Sequence, residues 1–406
     1  MINLNAPLHV IKFADLTKNL VADIATGSYY LALKILFEFF IGEYLSVSEL
    51  IRCNAWTLSE SQFLNIILDF EGNRFIRRMR SSILAKYKGA LNPADFVLAI
   101  DDTDNPKYSK YLRGVQSWRS SKGSYYGQKV LVIALVNVKE KFSLPLDYRI
   151  LLPKKQQNPK GGDSGIDQAL KLAKHAVNQF GNLPVVADSW FDSSPMAKKM
   201  KKAGITYVWE IKCNRKVRLT TGEIKWLALP DLFRNIVRLP IKKKFISEAQ
   251  IFLKSNKMRI QAIAAYNNKN DEKPFAYYAS TDLDMPGAQV WKIFRHRWYI
   301  ECLFRDLKCH LNFGRLSVSD DNASNLAIVI PFIIVTYLRI NPGAFNLPEG
   351  KTISGMLETL KNKQGQKTIG LLHAGNCQHL IKKIFVRQAN INKKPVITCT
   401  EDLIAS

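Results

Sequence analysis

At 406 residues the chain is longer than one ordinary hydrophobic core, so two or three domains are expected. Hydrophobic residues make up 47% and aromatics 11%, which excludes a disordered or fibrous chain. Lysine and arginine outnumber the acids 59 to 34, a net charge of +25, so a polyanionic partner is expected, either nucleic acid or an acidic membrane surface. The excess is spread along the chain, with clusters at 77–80, 198–202 and 242–244. The six cysteines (Cys53, Cys213, Cys302, Cys309, Cys377, Cys399) have no CxxC spacing, which speaks against a zinc site or a disulfide framework and for a reducing compartment. The first residues lack the pattern of a signal peptide, and the longest apolar run, Leu326 to Ile340, is short and contains Pro331. It reads as a buried helix, and the expectation is a cytoplasmic protein associated with the nucleoid, with no membrane partner.

Residues 1–92 read as helical. Tyr29–Phe40 is an apolar helix, and Ser46 to Glu49 and Ser59 to Gln62 both match the capping-box spacing. Two helices joined near Asn54 suit either a helix-turn-helix reader of DNA or a joint in a helical bundle. Arg74–Lys88 follows as a basic amphipathic helix, its cations directed at phosphate or simply at solvent.

From Asp95 the pattern turns to strands. Phe96–Ile100 (FVLAI) leads into Asp101, Asp102 and Thr103. Lys129–Val138 and Leu144–Leu152 are further strands. Ser164–Phe180 has helical spacing, Pro184–Ala187 is a short buried strand ending at Asp188, Ser193–Lys202 is a basic helix, and Ile205–Ile211 is another strand. The order β-β-β-α-β-α-β is that of a ribonuclease-H-like fold, in which the first and fourth strands are neighbours. The fold class is therefore α/β. Residues 212–287 interrupt it as a basic, β-rich insertion with strand-like runs at Lys216–Leu219, Asn235–Leu239, Met258–Tyr266 and Phe275–Thr281. Residues 319–406 read as helical to about 386, with a weak tail from 393.

The stretch 291–315 supplies the missing helix. On a helix, Phe294, Arg297, Glu301 and Lys308 fall within about 40° of one another, beside an apolar stripe of Ile293, Ile300, Leu303, Leu307 and Leu311. A carboxylate between cations one turn before and two turns after suits a metal-binding acid whose neighbours grip phosphate. The competing reading is an exposed ion-pair ladder. With Asp101 and Asp188 at two strand ends, Glu301 completes three carboxylates able to hold two divalent ions about 4 Å apart for phosphodiester chemistry. Mg²⁺, which keeps several waters and needs few protein ligands, suits such a set, with Mn²⁺ as a substitute.

The segments LAIDDT, VVADSWFDS and FRHRWYIECLFRDLK together resemble the catalytic core of bacterial insertion-sequence transposases of the DDE superfamily, over roughly 95–316. The similar branch carries a β-strand insertion before the third acid and a Tyr-x2-Arg-x3-Glu-x6-Lys signature. The resemblance selects Asp101 (with Thr103) over Asp102, then Asp188 and Glu301, as catalytic metal ligands. It places the signature on Phe294, Arg297, Glu301 and Lys308, with Phe294, Arg297 and Lys308 expected at the DNA. Phe294 departs from the usual Tyr and has no hydroxyl to offer a phosphate. The layout it implies is 1–92 as a helical DNA-binding region, 93–211 as the first part of the core, 212–287 as the insertion, 288–318 as the catalytic helix and 319–406 as a helical end. The implied activity is cleavage at the ends of a mobile element and joining of the 3′ hydroxyls to target DNA. The implied partners are double-stranded DNA with terminal inverted repeats, target DNA, and a second protomer on that DNA.

Two rivals share these features: a ribonuclease-H-like nuclease that does not rejoin strands, and a DNA-binding protein that has lost turnover. Lys107, Lys110 and Arg113 after the first acid read equally as phosphate contacts or as solvated cations. Trp190 reads as core, Trp209 or Trp226 as an aromatic that stacks on an unpaired base, His296 as facing solvent, and Asp192 and Asp306 as ion-pairing acids.

Overall fold

The structure is a computed structural model. It describes Leu36, Phe40 and residues 60–68, 72–345 and 352–359, apart from 108, 121–122, 163, 221–224 and 256. Most of the helix over Tyr29–Phe40, the first capping box, Ser59 of the second, the joint near Asn54 and the C-terminal tail lie outside these residues, as do Cys53, Cys377 and Cys399.

The centre of the fold is strand β1 (Phe96–Pro106), whose first six residues are all buried. A strand buried on both faces needs a continuous apolar run and helices on each side. β1 pairs antiparallel with β3 (Gly123–Asn137), which pairs antiparallel with β4 (Phe142–Ile150). Its other edge pairs parallel with β5 (Val185–Ala187), and β5 pairs parallel with β6 (Tyr207–Glu210). The core order is thus β4-β3-β1-β5-β6, with the first and fourth long core strands side by side. This is the ribonuclease-H-like arrangement. β2 (Gln116–Ser120), a polar strand that the apolar pattern does not reveal, pairs only with the outer end of β3.

The expected first strand stops at Ile100, but β1 continues six residues past it. Its long partner β3 keeps pairing out to Pro106↔Gly127, whereas β5 ends opposite Ile100. Beyond that point one edge of β1 is open, and polar side chains are tolerated there.

Helix α3 (Gly165–Phe180; α1 is Glu60–Leu68 and α2 is Gly72–Tyr87) starts at Ser164, whose hydroxyl accepts from the Asp167 amide. It buries Leu172, Ala173, Ala176 and Phe180 and packs on β1, β3 and β4. α4 (Ser194–Lys202), capped by Ser193, leads into β6.

The insertion extends the core sheet. β7 (Lys216–Leu219), β8 (Leu227–Ala228), short helix α5 (Leu229–Phe233), β9 (Leu239–Ile241), β10 (Lys244–Leu253), β11 (Arg259–Tyr266) and β12 (Ala276–Ser280) follow in order. β12 pairs antiparallel with β6, so core and insertion share one sheet of 12 strands. β10 was hidden in the sequence by its leading lysines; the strand-like run at Asn235–Leu239 is mostly a turn, and pairing begins at Leu239.

The expected single helix across 291–315 is two helices, α6 (Gly287–Arg295) and α7 (Trp298–His310), joined by a turn at His296–Arg297. The backbone stays right-handed through the joint (His296 φ −72°, Arg297 φ −54°), so the axis is offset without reversing. The break has a packing cause: α6 lies on β6, β10, β11 and β12, while α7 lies on β4, β1 and β3. α8 (Asp321–Ile340) packs on α2 and β4. Among the described residues it is the one helix long and apolar enough to cross a membrane, but 89% of its most apolar window is buried inside the fold.

Candidate active site

Because Ile100 pairs with Ala187, the next residue on each strand, Asp101 and Asp188, brings two carboxylates to adjacent strand ends. Asp101 is 8% exposed; its Oδ1 accepts from the Asp102 amide at 2.8 Å and its Oδ2 from Arg297 at 3.0 Å. Asp188 caps the turn at Ser189–Phe191, accepting from the Trp190 amide at 2.9 Å. Asp102 points to the opposite face of β1. There it pairs with Lys129 Nζ at 2.7 Å, which commits it to an ion pair away from Asp101. Thr103 returns to the face of Asp101, and its buried hydroxyl has no hydrogen-bond partner.

The third acid reaches this place through Arg297. One guanidinium nitrogen bonds Asp101 and the other bonds Glu301, one turn along α7. The two carboxylates therefore lie on either side of one guanidinium. Burial works against the charge on Arg297, yet Asp101, Glu301 and Asp188 together raise its pKa. The same crowding appears from the other side. Burial and the charge of Asp188 push the Asp101 carboxyl up to about 8, and Arg297 offsets them only in part.

A fourth acid was not anticipated. Glu210 ends β6, next to the strand that ends at Asp188, and its pKa is raised by burial and Asp188 and lowered by Arg297. Its only signal in the sequence is an acid closing the run YVWE, which is meaningful only once β6 is known to lie beside β5.

Among the described residues, no three His, Cys, Asp or Glu side chains already form a metal cage, because Arg297 lies between the acids. The donor set nonetheless fits a hard divalent cation. It is made of carboxylates only, it surrounds a position already taken by positive charge, and burial beside Asp188 holds the pKa of its buried member up despite Arg297.

Phe294 is expected at the DNA, but the structure buries it to 9% exposure, its ring 4.3 Å from that of Tyr278. Arg297 lies over its other side at 5.8 Å. Its place is beneath the guanidinium, where a phenyl ring without a hydroxyl fits an apolar bed. Lys308 lies two turns beyond Glu301 and lines an open groove of about 900 Å³ together with Asp104 and Lys107.

Several other expectations are revised. Trp190 is 45% exposed, set edge-on against Phe191, because the strand has already ended and the turn carries it outward. Trp209 is buried, stacked on Tyr207 at 4.9 Å and donating to Asp192, so it has no face left for a base. Trp226 is half-buried under Arg218 at 5.3 Å. His296 is half-buried, its pKa pushed to about 4 by burial and by Lys292 and Arg295. Lys107 is buried instead of solvated. Asp192 and Asp306, by contrast, are ion-pairing acids as expected, with Arg215 at 2.8 Å and Arg339 at 3.7 Å.

A family profile described as "Transposase DDE domain" matches residues 94–337, more than half of the chain. No curated protein matches. Among solved structures, the chain is similar to the NurA nuclease from Sulfolobus solfataricus at 9% identity, with 60% of this chain and 86% of that one covered. The TM-score of that superposition is 0.26, too low to carry an argument.

Proposed function

The chain belongs to the transposase DDE domain family, and from that premise we propose that it cleaves DNA at the ends of a mobile element and joins the freed 3′ hydroxyls to target DNA. The observation carrying this reading is the shared guanidinium: acids from β1 and α7 bond it, and the acid after β5 adds its charge. Three segments far apart in the chain thus converge on one spot that attracts cations, inside the region the family profile matches.

In this reading Asp101, Asp188 and Glu301 would hold divalent cations, Mg²⁺ in the first instance, whose chemistry there would be activation of the attacking oxygen and stabilisation of the leaving one. Asp101 must release its proton and its bond to Arg297 to act as a ligand. Arg297, freed from the acids, is within reach of a phosphate at the same site, and its planar fork suits that role. Lys308 lies further along the same helix, facing the groove, and supplies a point charge to the strand. Asp102 stays with Lys129 and holds the other face of β1. The helical region 1–92 and the basic insertion are assigned to binding element ends and target, with two protomers on the DNA.

The test uses the full chain with DNA carrying the inverted repeats that flank its reading frame and a labelled 3′ end. Wild type with Mg²⁺ should yield both cut and joined products. Glu301→Gln should lose at least about 10²-fold in both, the scale expected for a positioned catalytic group. Cleavage without joining would identify a nuclease, and binding with neither product would identify an idle DNA-binding protein. Equal products from wild type and Glu301→Gln would remove the acids from the mechanism.

A further inference from the structure

Lys107 follows the end of β1, six residues beyond Asp101, and is 2% exposed. Its Nζ donates to the Leu316 carbonyl at 2.8 Å, and among the described residues no acid pairs with it. An ammonium has three N–H donors, and burying it beside a single carbonyl is costly. Burial lowers the Lys107 pKa to about 8, the direction of a charge taken out of water without a counter-ion.

Lys107 also lines the groove of about 900 Å³ that Lys308 borders, along with Arg315, Ser317 and Asp104. Three cations face one acid across a lining that also carries the hydroxyls of Ser109, Tyr125, Ser317 and Ser319, so the groove suits an anion. Its lining includes Asp104, three residues beyond Asp101 on β1, and Lys308, seven beyond Glu301 on α7, so it is built partly on the same two elements as those acids. Gly314, at φ +83°, packs against the β1 end, and a Cβ there would come within 3.2 Å of Pro106, so a side chain at this position would crowd the wall.

We propose that this groove is a phosphate-binding subsite for the DNA strand, with Lys107 as its buried anchor. The inference rests on the reading of the chain as a DNA-processing enzyme and adds to it a contact outside the acid cluster. A phosphodiester supplies the missing counter-ion, accepts the free N–H donors, and places the strand between Lys107 and Lys308. Lys107 then acts as a binding residue whose cost in the free protein is recovered on the complex.

The experiment compares wild type with Lys107→Met, and with Lys107→Arg as the charge-keeping control. Binding of a short duplex is measured by anisotropy across a KCl series. The log–log salt slope of Lys107→Met should be smaller by about one, the loss of one phosphate contact, with Lys107→Arg closer to wild type. In thermal denaturation without DNA, Lys107→Met should melt at or above wild type, because an unpaired buried charge has gone. Inorganic pyrophosphate should stabilise wild type and not Lys107→Met. A lowered melting temperature with an unchanged salt slope would make Lys107 a tether for Leu316 and overturn the proposal. If Lys107→Met does not fold, a pyrophosphate shift that is equal in wild type and Lys107→Arg sustains the subsite, and no shift in either overturns it. If wild type binds no DNA, the underlying reading fails, while a Lys107-dependent pyrophosphate shift still registers the subsite.

Discussion

With its carboxyl held up to about 8 by burial and by Asp188, Asp101 binds a proton in the folded state over a range where the unfolded chain has already lost it. The folded state then holds more protons than the unfolded one, so stability falls as pH rises from the ordinary value of 3.8 toward 8. Denaturant melts in chelator between pH 5 and 8 should show this decline in wild type and a flatter curve in Asp101→Asn; parallel curves would refute it. Arg297 makes the complementary prediction. In Arg297→Met the Asp101 carboxyl loses the cation that partly offsets its burial, so in metal-free protein it should keep its proton to higher pH and the decline in stability should continue beyond pH 8. Mn²⁺ should restore more of that stability in the variant than it adds to wild type, read as a larger melting shift. In the sequence, Asp101 was set apart from Asp102 by the resemblance alone, through Thr103 two residues on; strand alternation puts the two acids on opposite faces without saying which face holds the other carboxylates. The burial of Phe294 and Lys107 was not legible, because helical phase says which residues share a face and not what covers it.

Between α2 and the sheet, Arg80 reaches Asp147 on β4 at 2.8 Å, with both side chains buried and Arg149 as a second partner at 3.1 Å. Asp147→Ala strips the counter-charge from a buried arginine and should destabilise by about 3 kcal/mol in urea titration, the scale of breaking such a pair. Arg149→Ala, at the exposed end, should cost under about 1 kcal/mol. At the far end of β1, Gly127 has no space for a side chain: a Cβ would lie 2.6 Å from the Asn105 carbonyl and 2.8 Å from the Lys107 amide. Gly127→Ala should cost about 1–3 kcal/mol, the range for overpacking, and weaken DNA binding through the displaced Lys107. Apolar runs marked the core strands well, because β1, β3 and β5 are covered on both faces. β2 and β10 escaped because edge and insertion strands keep polar residues on an open side. The joint at His296–Arg297 escaped because helical periodicity carries across a turn whose backbone stays right-handed.

The full sheet runs unbroken from β2 to β8, and the insertion joins the core strands through the β6–β12 pairing. Excising 212–286 would strip β12 from β6 and remove the strands under α6, so the remainder should lose its cooperative melt. A remainder that melts like wild type would show the insertion to be a separate unit. The sequence places the insertion by its position and charge, but continuity of the sheet depends on the pairing of Tyr278–Ser280 with Val208–Glu210, a long-range register that no local pattern encodes. The helix pair has a mechanical corollary. α6 straddles the core strands β5 and β6 and the added strands β10, β11 and β12, while α7 lies on β4, β1 and β3, so the turn between them, with Arg297 at its bend, links the insertion to the acids. Any displacement of the added strands relative to the core is therefore felt at Asp101 and Glu301 through the guanidinium that bonds them both.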